Sequence, residues 1–317
     1  MIISNWNYGR SAVEKGIEIL RSNRSSLDAT EIAIRSVEDN PEADSVGTGG
    51  LPNIEGNCEL DASIMVGNSL HSGAVSCLRM TQNPISVARK VLELSPHVML
   101  CGDGATRFAR AVGFPEYDPL TQRAKEKWIA LRNKMYEGMK DEKKFEEFNS
   151  QIGYDVDLRS LVKGLEIMIS SGAIKEFGTV GTIALDNSGI IVAGTSTSGW
   201  ALRLPGRVSD SSVIGAGTYA NKFGGASSTG MGEIAIRHNL TRQVCDYLEQ
   251  GYHPKEACEE SLKKMLRNDR ISMIMALIAL DREGRVGGAT TKEPFVYQYQ
   301  KASDKEVTVV RPTPVSI

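Results

Sequence analysis

Residues 176–200, EFGTVGTIALDNSGIIVAGTSTSGW, leave this part of the chain little choice of local structure. TVGTIALD and IIVAGTST are rich in β-branched residues. They flank Asn187, Ser188 and Gly189, a turn whose glycine reaches φ > 0 without steric cost. The stretch predicts a β-hairpin. With those three residues as the loop and Gly189 left-handed, Asp186 faces Ile190, and further down the ladder Thr179 faces Thr197. A two-residue loop would slip the pairing by one, yet either register leaves the hydroxyls of Thr197 or its neighbours beside Thr179. Threonine pairs across a ladder are ordinary sheet stabilisers, so the pair alone specifies a hairpin and no chemistry.

Around the hairpin the pattern alternates. Residues 10–22 and 26–39 read as helices, with Val13, Ile17 and Leu20 at helical spacing and Ser25 with Asp28 placed to form a capping box. ELDASIMVG (59–67) and HVMLCG (97–102) read as strands, with a helix over 85–94 between them. From about 119 to 170 the composition turns highly charged, which reads as a mobile, partly helical connector whose charges form a solvated face. Beyond the hairpin come a Gly-rich region at 204–232, helices near 231–249 and 254–267, and strand-like runs ISMIMALIAL, RVGGAT and FVYQYQ. The order is α and β, a linker, then β, α and β. A chain of 317 residues fits one large domain or two ordinary ones.

Charge and cysteine usage exclude several classes of function. The net charge of -2, with no long basic block, gives no electrostatic footprint for nucleic acid or an anionic membrane. No run of eighteen apolar residues and no basic, then apolar, leader is present, so the reading is cytoplasmic, with small, neutral or zwitterionic partners. Cys58, Cys77, Cys101, Cys245 and Cys258 are scattered and never spaced CxxC, which reads as buried free thiols. His71, His97, His238 and His253 are isolated, so no metal is expected. GDGAT (102–106) lacks the full GxGxxG spacing and reads as no phosphate loop.

Thr179 gains meaning from the chemistry a threonine needs. Its hydroxyl is a poor nucleophile without a base beside it, and one solution is the α-amine of the same residue, freed when the threonine becomes N-terminal. That requires a cut before Thr179. Gly178 suits a sharp backbone conformation there, the charged segment upstream would tolerate cutting, and a strand holds the nucleophile rigidly.

Several collinear stretches now carry a resemblance: SNWNYG (4–9), SVGTGGLPN (45–53), LDASIMVGN (60–68), NPISVARKVLELSPHVMLCGDGA (83–105), TVGTIALD, GTSTSG (194–199), LPGRVSDSSVIGAGTYA (204–220) and STGMGE (228–233). Over most of its length the chain resembles the glycosylasparaginases, or aspartylglucosaminidases. They belong to the N-terminal nucleophile hydrolases, which also include plant-type asparaginases and isoaspartyl peptidases. The resemblance implies an α+β fold, a four-layer αββα sandwich formed as a single domain over 1–317. It implies self-cleavage between Gly178 and Thr179 into an α chain, 1–178, and a β chain, 179–317. It further implies a homodimer of processed αβ protomers.

By the same resemblance Thr179 matches the nucleophile and Thr197 the hydroxyl that hydrogen-bonds to it. Arg207 and Asp210 match the pair that holds a substrate's α-carboxylate and α-ammonium, as a planar fork and an acceptor should. Thr229 and Gly230 match an oxyanion hole of one hydroxyl and one backbone N–H. Trp6 matches a tryptophan at the substrate pocket, whose ring could cover a sugar face. Two departures stand out: Phe177-Gly178 replaces the usual His-Asp before the nucleophile, and GRVSDSS replaces GRVGDSP at Ser209 and Ser212. The implied activity is hydrolysis of the β-amide of N4-(β-N-acetylglucosaminyl)-L-asparagine, with no cofactor. The alternatives are an isoaspartyl peptidase or L-asparaginase with the same machinery, and an uncleaved homologue that binds amino-acid ligands without catalysis.

Overall fold

The computed structural model describes residues 1–139, 178–269, 271 and 273–316. The first half runs β1 (Ile2–Asn5), α1 (Gly9–Arg21), α2 (Ser26–Glu38), β2 (Leu60–Val66), β3 (Ser72–Leu78), α3 (Pro84–Leu94), β4 (Met99–Cys101), α4 (Gly102–Ala111) and α5 (Gln122–Met139). The second half runs β5 (Val180–Leu185), β6 (Ile191–Thr197), a 3-10 turn (Asp210–Ser212), β7 (Thr218–Asn221) and β8 (Gly224–Gly230). It continues with α6 (Gly232–His238), α7 (Leu240–Glu249), α8 (Pro254–Asn268), β9 (Met275–Asp281), β10 (Val286–Thr290), β11 (Tyr297–Gln300) and β12 (Thr308–Val310). Eight strands form one sheet, ordered β12-β11-β1-β5-β6-β2-β3-β4, and four form a second, ordered β10-β9-β8-β7. The fold is α+β.

The hairpin has the expected register. Val180 pairs with Ser196 and Leu185 with Ile191, and Gly189 sits in the loop at φ 75°. Side chains on a strand alternate between faces, so the first sheet serves two cores. Ile183, Ile191 and Ala193 pack with β8, β9, α7 and α8, whereas Val180, Ala184 and Val192 pack with α1, α2 and α3. The two sheets meet face to face through very small residues. A Cβ on Gly225 would lie 2.9 Å from Ile183 Cγ2, and one on Gly181 would lie 1.8 Å from Ser227 Oγ. Gly225, Ser227 and Thr229 therefore share the face of β8 that looks onto Ile183, Gly181 and Thr179. Continued to its end, that row brings Thr229 against Thr179.

Several expectations are corrected. The Gly-rich region contains two strands, β7 and β8, that propensity gave no reason to expect. The helix expected over 231–249 breaks at Asn239, whose left-handed backbone (φ 48°) separates α6 from α7. Ser25 caps α2 through Asp28 N, 3.1 Å from its Oγ. The start of the charged connector is docked on the body of the protein. In α5 Lys127 pairs with Asp44 at 2.7 Å, Trp128 Nε1 donates to the Asn53 carbonyl at 2.9 Å, and Ala124 packs with Leu51 and Ala201. Residues 140–170 and Phe177 lie outside the described residues. Four cysteines are buried, but Cys101 is exposed on β4, the last strand of the first sheet. Among the described residues no helix is long and apolar enough to cross a membrane.

Candidate active site

The site forms where β5 begins and β6 and β8 end. Thr179, one residue before β5, is buried and points with Gly181 and Ile183 toward the second sheet. Its backbone N–H donates to Thr229 Oγ1 at 3.3 Å. Gly178, Thr179, Thr197, Gly199, Trp200, Arg207, Ser209, Asp210 and Gly230 line one small pocket. The structure thus gathers six of the residues singled out from sequence around a single opening, and holds Thr229 directly behind it.

Thr197 departs from its expected partner. Its hydroxyl lies 3.1 Å from the Gly178 carbonyl oxygen and 3.1 Å from that of Ser45, and it accepts from Gly199 N. Those contacts aim Thr197 at the carbonyl of the Gly178–Thr179 peptide rather than at the Thr179 hydroxyl. The hydroxyl near Thr179 Oγ1 is that of Ser211, at 3.4 Å. The register does set Thr197 opposite Thr179, but a side chain's rotamer decides which atom its hydroxyl meets. Gly178 has no unusual backbone angle, since it is not among the left-handed glycines, and a Cβ there would lie 2.4 Å from Ser45 Oγ, whose hydroxyl would have to turn aside.

Gly230 is where backbone conformation matters. Its φ of 121° is open to glycine and strained for other residues, and a Cβ would lie 2.0 Å from the Ile274 carbonyl oxygen. Thr229 and Gly230 end β8, and Gly230 lines the pocket. Thr229 also accepts from Trp6 Nε1 at 2.7 Å. Trp6 thus reaches the site through Thr229, while its ring stands edge-on to Phe295 with centroids 5.6 Å apart.

The charged end of the pocket sits on the loop and 3-10 turn after β6. Hydroxyls bolt this segment to the first sheet: Ser63 Oγ and Thr195 Oγ1 donate to the Ser211 carbonyl at 2.6 and 2.8 Å, and Ser76 Oγ donates to Ser212 Oγ at 2.8 Å. Asp61 accepts from Ser209 N at 2.8 Å. The two serines that stand out in GRVSDSS are absorbed locally, since Ser209 Oγ accepts from Ser211 N and Ser212 Oγ donates to the Ser209 carbonyl. Asp210 is buried and accepts from Ser228 Oγ at 2.6 Å. Burial pushes its carboxyl up to about 6, against the opposing pulls of the Ser228 hydroxyl and the Arg207 guanidinium.

Arg207 and Asp210 are neighbours across the pocket, and Arg207 has a second carboxylate. Its Nε and Nη2 hold both oxygens of Glu233, at 2.9 and 3.0 Å, and its guanidinium lies over the Trp200 ring, 4.7 Å from the centroid. Glu233, Trp200, Ser211 and Ser228 are contributors that sequence reasoning missed. Glu233 and Ser228 sit inside the STGMGE stretch and Trp200 directly follows GTSTSG, so proximity to motifs was the only signal available. A neutral corner of hydroxyls around Thr179, beside a fixed guanidinium and a carboxylate, can grip an amino-acid head group and present a carbonyl to a nucleophile.

The chain matches the family model described as Asparaginase over residues 7–310. It is 40% identical over 300 residues to the plant-type L-asparaginase of Pyrococcus furiosus, covering 94% of this chain and 90% of that protein. To the isoaspartyl peptidase/L-asparaginase of Homo sapiens it is 38% identical over 275 residues, 86% of this chain and 79% of the relative. To the N(4)-(β-N-acetylglucosaminyl)-L-asparaginase of Elizabethkingia miricola it is 34% identical over 303 residues, 93% of this chain and 79% of the relative.

Proposed function

The chain belongs to the asparaginase family, and we propose that it hydrolyses the side-chain amide of an L-asparaginyl compound through Thr179, after cutting itself before that residue. One observation carries the reading: Gly178, Thr179, Gly230 and the Arg207–Asp210 pair line one pocket, with Thr229 bonded to Thr179 N behind it. The packing of α1–α3 on the outer face of the first sheet and of α7 and α8 on the second supports a four-layer αββα sandwich.

In self-cleavage the Thr179 hydroxyl attacks the Gly178 carbonyl carbon. The C–O bond forms, the C–N bond breaks, and the hydroxyl proton ends on the departing nitrogen. Thr197, whose hydroxyl lies 3.1 Å from that carbonyl oxygen, is placed to hold the charge that develops there. Water then hydrolyses the ester to give chains 1–178 and 179–317.

In the processed enzyme the freed α-amine of Thr179 takes the proton from its own hydroxyl as the oxygen adds to the substrate amide. The Thr229 hydroxyl and the Gly230 N–H stabilise the tetrahedral oxyanion. The amine leaving group departs with a proton, and water activated by the same α-amine releases aspartate. Arg207 takes the α-carboxylate and ionised Asp210 the α-ammonium, which fixes the amide over Thr179.

For the leaving group the first reading is a glycosylated amide, N4-(β-N-acetylglucosaminyl)-L-asparagine. The second, ammonia or an amino acid leaving from asparagine or a β-aspartyl dipeptide, is favoured by the engagement of Trp6 with Thr229 and Phe295 rather than with the pocket. Intact mass after prolonged incubation, followed by turnover of all three substrates, tests the reading. Wild type should give two chains and release aspartate, whereas Thr179→Ala should stay whole and lose at least about 10⁴-fold in turnover. A full-length wild type that remains active would sink the self-cleaving mechanism.

A further inference from the structure

Trp6 is held in a conformation that asks for an explanation. Its backbone is left-handed at φ 60°, a region costly for a residue with a bulky side chain, just past the end of β1. Three contacts enforce it: Trp6 N donates to the Val296 carbonyl at 2.8 Å, the Trp6 carbonyl accepts from Gly9 N at 3.0 Å, and Phe295 stands edge-on to the indole. The result is an indole N–H delivered to Thr229 Oγ1 at 2.7 Å.

Hydroxyl arithmetic gives that contact a consequence. A threonine hydroxyl has one proton and two lone pairs, and an indole N–H can only donate. Thr229 Oγ1 therefore accepts from Trp6 and also from Thr179 N, at 3.3 Å. With both lone pairs engaged, its single proton is left to point elsewhere, and the next residue, Gly230, lines the pocket. Accepting from Trp6 also polarises the hydroxyl and makes it a better donor.

We propose that Trp6 is a positioning residue that commits the Thr229 hydroxyl to donate into the pocket. It would act on the oxygen charge of the reaction through Thr229, not on the leaving group. The proposal rests on the amidohydrolase reading above, and it moves Trp6 from substrate selection to transition-state support.

The test is a double-mutant cycle on processed enzyme, Trp6→Phe with Thr229→Val, read as kcat and KM on N4-(β-N-acetylglucosaminyl)-L-asparagine, L-asparagine and a β-aspartyl dipeptide. Trp6→Phe should lower kcat by about tenfold on each substrate, less than the 10²- to 10³-fold typical of deleting an oxyanion donor outright, with KM little changed. In the Thr229→Val background the same change should cost nothing further. If Phe disturbs packing, judged by a lowered Tm, replacing Trp6 with 3-benzothienylalanine keeps the ring area and still removes the N–H. Additive losses, or a loss confined to the glycosylated substrate, would overturn the proposal while leaving the amidohydrolase intact. Wild type that neither cuts itself nor turns over any of the three overturns both.

Discussion

Two buried carboxyls flank strand β6, one on each face of the first sheet, and their fates differ. Asp210 lies toward the second sheet, in the pocket, with Ser228 Oγ at 2.6 Å and the Arg207 guanidinium near enough to offset its burial; its carboxyl is pushed up to about 6. Glu38, at the end of α2, lies behind Ser196 on the helix side. Ile85 N donates to its Oε1 at 3.0 Å, the Ser196 hydroxyl and the Asn83 side chain stand beside it, and burial pushes its carboxyl up to about 8. Burial is the largest cause that disfavours the charge in both places, helped by Asp39 beside Glu38 and Glu233 beside Asp210. A cation at the pocket lets Asp210 ionise near neutrality, whereas Glu38 remains protonated and serves as a polar cap on the start of α3. The same desolvation thus yields a binding group on one face and a structural one on the other.

The largest effect that would break this contrast is at Asp210. Asp210→Asn removes the carboxylate that lines the pocket beside Arg207, so kcat/KM should fall by about 10²- to 10³-fold, the size of loss seen when one member of a desolvated charge pair is removed. Because the ionised carboxylate is the binding form, kcat/KM of wild type should rise with pH through about 6 and then level off. In Asp210→Asn that acid limb should vanish. A limb that survives the substitution would assign it to another group.

Arg207→Lys sharpens the comparison at intermediate size. Lysine keeps the charge that steadies Asp210, but loses the fork that Glu233 grips along one edge and the planar face over Trp200. Self-cleavage should continue, and KM for aspartyl substrates should rise by roughly tenfold, consistent with losing one bidentate contact. Unchanged KM would remove Arg207 from carboxylate recognition.

Glu38→Gln is the smallest perturbation and concerns stability rather than activity. The folded carboxyl binds its proton more tightly than the unfolded one, whose ordinary value is 4.5. Unfolding therefore becomes progressively easier as pH rises from 4.5 through about 8, and the stability held below that window is lost across it. Glutamine cannot ionise. The Tm advantage of Glu38→Gln over wild type should be absent near pH 4, grow through the window and flatten above it, with turnover per processed molecule unaltered. A constant Tm difference at all pH values would mean that Glu38 is not protonated behind β6.

Much of this architecture was legible from local pattern. The periodicity of Val13, Ile17 and Leu20 marks α1, Pro84 opens α3 as a first-turn residue should, and the turn at Asn187–Gly189 fixes the β5–β6 register. Strand β3, SGAVSCL, and strand β8, GGASSTG, were invisible because their residues are small for packing reasons: a Cβ on Gly73 would lie 2.1 Å from the Ala88 carbonyl oxygen of α3, and Gly225 lets the two sheets approach. Low strand propensity was the cost of that close fit, and propensity was the only available guide.

By itself the sequence determined which residues are one turn or one ladder step apart, and so it set Thr179 opposite Thr197 and carried the Arg207–Asp210 pair on one short loop. Those relations follow from fixed backbone periods that need no distant partner. Only the tertiary structure decided that Thr197 turns to the Gly178 carbonyl, that Ser211 stands at the Thr179 hydroxyl, that Glu233 grips Arg207, and that Trp6 hands its N–H to Thr229. The first contact lies within one hairpin and the others join separate elements, but the geometry of each depends on how closely the neighbours pack and which rotamer they leave open, which no local period encodes.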